Sequence, residues 1–124
     1  MDNHQSSHLT ARILDFIDIH PSHIQHISFS PTSNLLYVAR KLYSEVYTVT
    51  FANEAKNVSI EQIMVLEPCE HIYEIDGMIV MVFPFEIKIS QSGNWAVYPF
   101  TTQLLPNSIQ YDPKNNKLYT FHVS

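Results

Sequence analysis

Ile27-Ser28-Phe29-Ser30-Pro31-Thr32-Ser33-Asn34-Leu35-Leu36-Tyr37-Val38 reads as strand, turn and strand. Ile27 and Phe29 alternate with serines, as a half-buried strand requires. Ser30, Pro31, Ser33 and Asn34 then supply the side-chain oxygens, fixed φ and left-handed tolerance of a turn. The apolar run from Leu35 follows. Ile109-Gln110-Tyr111-Asp112-Pro113-Lys114-Asn115-Asn116-Lys117-Leu118-Tyr119-Thr120 aligns on it without a gap. A looser third copy runs from Ile89 through Ser92, Gly93, Asn94 and Trp95 to Tyr98.

Working outward, period-two runs cover most of the chain: Ile24 to Phe29, Leu35 to Ala39, Val46 to Phe51, Ile60 to Leu66, Ile72 to Ile75, Met78 to Phe83, Ile87 to Ser90, Trp95 to Phe100, Ser108 to Tyr111 and Leu118 to Val123. Turn formers separate them at the short spacing of an antiparallel all-β domain, so about ten strands are expected. Only Gly77 and Gly93 are glycines, and both are expected where a positive φ is needed. Residues 1–10 read as a flexible segment and residues 11–124 as a single mostly-β domain. Leu9 to Ile19 fits one short N-terminal helix or a strand, ended by Pro21.

The phrases Phe29 to Val38 and Tyr111 to Tyr119 resemble the inner strand, turn and second strand of a WD-repeat β-propeller blade. Ile27 and Ile109 lie 82 positions apart, close to two repeats of roughly 40 to 45 residues. The resemblance implies one full blade from His23 to Leu66, a shortened one from Glu70 to Phe100 and half of a third from Pro106 to Ser124. That is an incomplete set of antiparallel β-propeller-like blades, because a closed propeller takes roughly four to eight. A two-sheet β-sandwich is the alternative. Unmatched strand edges would need covering by self-association or another chain. Arg12 to His20 and Leu118 to Val123, without obvious partners in the sequence, are the expected contact elements.

Composition narrows the function class. With 45% hydrophobic and 15% charged residues, the chain has enough apolar surface to fold. Net charge is −5 and the basic residues are scattered, which disfavours direct nucleic-acid binding. The longest apolar run, Met78 to Phe85, falls short of the roughly 20 residues of a membrane helix. One cysteine and no apolar leader imply an intracellular protein, cytoplasmic or nuclear. Glu67, Glu70, Glu74 and Asp76 read as the solvated side of strands and turns.

Few constellations suggest chemistry. His20, His23 and His26 are weak metal candidates: a three-residue spacing suits a helix that Pro21 opposes, and a strand would point His23 and His26 to opposite faces. Polar turn or strand-edge histidines are the expectation. Cys69 and His71 invite a thiol-and-base reading, but a half-buried cysteine among apolar neighbours is expected. No catalytic set, cofactor motif or phosphate-cradling glycine loop emerges, so the chain is read as a non-enzyme without cofactors. Trp95 and Phe85 stand out from the aromatic, proline-flanked region as exposed anchors for a partner. The expected function is a non-catalytic protein–protein interaction module within a larger assembly. The alternative is a small-ligand, carbohydrate-type binder built as an oligomeric propeller. Elemental analysis of purified protein is expected to find no stoichiometric zinc; metal that disappears when His20, His23 and His26 are replaced would overturn that.

Overall fold

A computed structural model describes residues 24–52, 57–105 and 108–123. Leu9 to Ile19, residues 1–10, His20 and His23, on which expectations fell, lie outside them. The described residues form ten strands and no helix. The first sheet holds β1 (Ile24–Ser30), β2 (Leu35–Arg40), β3 (Ser44–Ala52) and β4 (Asn57–Leu66). The second holds β5 (His71–Ile75), β6 (Met78–Val82), β7 (Glu86–Gln91) and β8 (Asn94–Pro99). A hairpin of β9 (Gln110–Asp112) and β10 (Lys117–Tyr119) follows. Every pairing is antiparallel, and chain order is spatial order in both four-stranded sheets. Neither sheet closes on itself.

Turn chemistry explains these meanders. Asp76-Gly77 and Ser92-Gly93 form two-residue hairpin loops with φ of 54°, 76°, 49° and 83° in that order. Positive φ at both positions is the type I′ geometry, whose twist matches the flanking strands. In the longer loops, Asn34 and Asn116 carry φ of 57° and 53°. They occupy the same place in the aligned copies. Ser30 and Asp112 begin those loops: the Ser30 carbonyl accepts from the Asn34 N–H at 2.8 Å, and the Asp112 carboxylate accepts from the Lys114 N–H at 3.1 Å.

Packing uses both faces of each four-stranded sheet. On β2, Leu36 and Val38 point to one face, where they pack with Val49, Ile27, Phe29 and Ile60. Tyr37 and Ala39 point to the other, meeting Val46, Cys69, Ile72 and Met81 between the sheets. The far face of the second sheet buries Val80, Val82 and Leu104, packed against Ile87, Ile89, Ile109 and Leu118. Period-two alternation in an unbroken apolar strand thus serves two cores. A part-buried ion pair joins strands of the first sheet: Arg40 Nε donates to Glu45 Oε1 at 2.5 Å, and Tyr47 donates its hydroxyl to Glu45 Oε2.

The segment from Leu118 to Val123, expected to lack a partner in the chain, has two. Residues 117–119 pair with β9, while the Leu105 and Val123 amides donate to the Phe121 and Gln103 carbonyls, each at 2.8 Å. The segment is thus held within the chain, although β10 remains an outer strand of its two-stranded hairpin. Ile72, fully buried between the sheets, is expected to cost about 2–5 kcal/mol of stability on truncation to alanine, measurable by urea unfolding.

Candidate functional site

The two four-stranded sheets meet along β1 and β5. Their contacts ascend together, residue 26 and residue 28 reaching 72 and residue 30 reaching 74, so the strands run the same way. Side chains bind the edge of β5 where a backbone ladder would otherwise do so. The Ile72 N–H donates to His26 Nδ1 at 3.1 Å, and Ser28 donates its hydroxyl to the Ile72 carbonyl at 2.7 Å. This satisfies both main-chain groups of a buried residue. His26 also lies 4.7 Å, centroid to centroid, from both His71 and Tyr73. Desolvation first, and the neighbouring His71 second, bring its pKa down to about 4. The imidazole is therefore neutral at pH 7, as an acceptor requires.

Glu74 anchors the upper end of this seam. Its carboxylate accepts from Ser33 at 2.8 Å and 3.0 Å, from the Tyr37 hydroxyl at 2.8 Å and from Ser30. Burial, then the hydrogen bond to Glu74, raises the Tyr37 pKa far above its ordinary value. The acidic stretch was expected on a solvated side, and Glu74 departs from that expectation by binding hydroxyls 37 to 44 positions away. Asp76 accepts from Asn116 Nδ2 at 3.1 Å, and Tyr73 meets Tyr111 with centroids 5.3 Å apart. Those two contacts tie the β9–β10 hairpin to the second sheet.

Farther from the seam the sheets diverge into an open groove of about 370 Å³ lined by Val65, Leu66, Glu67, Met81, Lys88, Trp95 and Val97. Trp95 is 41% exposed there. Lys88 Nζ lies 2.5 Å from Glu67 Oε1 and 5.2 Å from the Phe83 ring centroid, so the groove is apolar with a neutralised charge pair at its side. Phe85 is also exposed, at 59%. It sits on the turn between β6 and β7 and does not line the groove with Trp95. The structure therefore separates the two aromatic candidates.

The remaining candidates become structural. Cys69 is buried, with Sγ 3.4 Å from the Ser44 hydroxyl, and desolvation pushes its pKa up to about 11. A thiol so shifted is a poor nucleophile at neutral pH. Among the described residues no three His, Cys, Asp or Glu side chains converge on a metal position. No described helix is long and apolar enough to cross a membrane. Neither protein-family models, nor curated proteins, nor solved structures yield a match to this chain.

Sequence reasoning missed Ser30, Ser33, Tyr37 and Glu74 as one cluster, and missed the roles of Ser28 and His26 at the main chain of Ile72. Ser30 and Ser33 were legible as turn residues. The distant partner was not. His26 lies on β1, and its loss strips the Ile72 amide of its acceptor.

A folded-state pKa near 4 against an unfolded value of 6.5 means that the unfolded chain binds more protons between those pH values. Stability is then complete above about pH 6.5 and falls as pH drops through 4, by about 3 kcal/mol in all. Urea titrations from pH 7 to 4 are expected to show this loss. The slope over this window is expected to flatten in His26→Gln, which starts from a lower stability.

Proposed function

We propose that this chain is a non-catalytic protein-interaction module that works as a subunit of a larger assembly, its sheets forming an incomplete series of propeller-type blades. One observation carries the reading. Successive meanders place their first strands, β1 and β5, side by side and running in one direction. Tyr111 against Tyr73, with Asn116 against Asp76, extends the same order to β9. Blade series of the WD-repeat kind are arranged so, and their outer strands and loops are free to engage partners. The exposed apolar residues support an interaction role. Ile63, Met64 and Val65 on β4, and Trp95, Val97 and Tyr98 on β8, lie on the outermost strands of the two sheets. Of these, Val65, Trp95 and Val97 line one groove, and exposed apolar surface gathered in this way marks an interaction site more often than a solvated face.

Sedimentation of the chain at micromolar concentration tests this. A mass above one chain that rises with concentration is expected. Single-chain behaviour at every concentration, with full solubility and no binding of an apolar dye to native protein, would count against the module reading.

A further inference from the structure

The edges of these sheets are treated unequally. At β5, His26 and Ser28 bind the outward main-chain groups of Ile72. β4 is interrupted by a bulge, since its register shifts where Val46 pairs with Met64 and Tyr47 with Gln62, and it bears the exposed Glu61. Bulges and charges are the ordinary means of protecting an edge. β10 is only three residues long. Among the described residues, β8 has none of these protections. Asn94-Trp95-Ala96-Val97-Tyr98-Pro99 contains no charged residue, pairs with β7 in unbroken register, and leaves Trp95, Val97 and Tyr98 exposed.

Hairpin geometry says which main-chain groups face outward. The two-residue loop Ser92-Gly93 makes Gln91 and Asn94 a hydrogen-bonded pair. Alternation then turns the N–H and C=O of Trp95 and Val97 away from β7. Proline at position 99 fits this phase, because its missing N–H falls on the same outward side. The open edge therefore offers two complete donor–acceptor residues and then stops.

We propose that this edge pairs with β8 of a second copy of the chain, antiparallel and centred on Ala96, which joins two four-stranded sheets into one of eight strands. The inference rests on the interaction-module reading and names one partner for it. A two-fold axis through Ala96 sets Trp95 opposite Val97 of the second copy and Val97 opposite its Trp95. Those two pairs are hydrogen-bonded ones, giving four main-chain bonds. They also stack an aromatic on a β-branched side chain twice, a favourable cross-strand combination. Asn94 falls opposite Tyr98, and no charge opposes a like charge within the paired stretch. Strand addition thus finds a self-complementary template in β8.

The full chain provides the test. At the axis, the two Ala96 positions form a non-hydrogen-bonded pair with Cα atoms about 4.5 Å apart, within disulfide reach. Mild oxidation of Ala96→Cys is expected to give a covalent dimer, the native Cys69 being buried. Asn94→Cys is expected to give none, since the two copies of that position stand roughly 14 Å apart along the strands. Val97→Lys is expected to raise the dimer dissociation constant at least tenfold. Trp95 is the only tryptophan, so a red shift of its emission on dilution reports dissociation, with circular dichroism confirming that each variant stays folded. An assembly that persists in Val97→Lys, with no link through Ala96→Cys, would overturn the β8 pairing and leave the module reading standing. A single-chain mass for the unmodified protein at every concentration would overturn the β8 pairing, and only if joined by full solubility and no binding of an apolar dye would it count against the module reading too.

Discussion

The amide and carbonyl of Ile72 hold the architecture together. Ile72 is fully buried, so its main-chain groups must find partners within the protein. They find side chains, His26 and Ser28, on a strand of the other sheet. Each such bond adds only about 0.5–1.5 kcal/mol net, but leaving a buried group unmatched costs about 1–3 kcal/mol. The seam therefore constrains which residues can stand at positions 26 and 28 more strongly than it stabilises the fold. Hydrophobic burial of Tyr37, Val46, Ile72 and Met81 around those bonds supplies the larger favourable contribution.

Polar groups recur wherever the chain brings distant elements together. Glu74 gathers hydroxyls from β1, the following turn and β2; Glu45 joins Arg40 and Tyr47 on the opposite face of the first sheet. A carboxylate withdrawn from water and held by several donors tolerates little displacement, because every donor it loses leaves charge less well solvated. These clusters fix how neighbouring strands sit. The groove beside Trp95 lacks such a lock, and its one ion pair, Lys88 with Glu67, stands near solvent.

Much of this fold was legible in the sequence, because local chemistry decides local form. All ten described strands overlap the period-two runs, and both glycines and the two aligned asparagines occupy left-handed positions in the turns. The repeated hairpin was legible only through the gapless match of residues 27–38 to 109–120. The candidate site was less so. Trp95 and Phe85 are exposed as expected, yet nothing in their spacing told that one lines a groove and the other a turn. Glu74 and His26 looked like ordinary polar residues, since their partners lie 37 to 46 positions away and no periodicity encodes them. The terminal run from Leu118 gave a strand pattern correctly but concealed its partner at Gln103 to Leu105.

Joining sheets through side chains has a consequence for how such a chain can change over time. A backbone ladder between β1 and β5 would force the two sheets to share one register, so an inserted residue in either would propagate into the other. Here a histidine, a serine and a carboxylate span the boundary, and they can follow modest shifts of either strand. Each meander is thereby insulated from its neighbour. Units of this kind can be copied, shortened or lost one at a time, and the three lengths within this chain, a long sheet, a short sheet and a lone hairpin, are the kind of divergence that such independence permits.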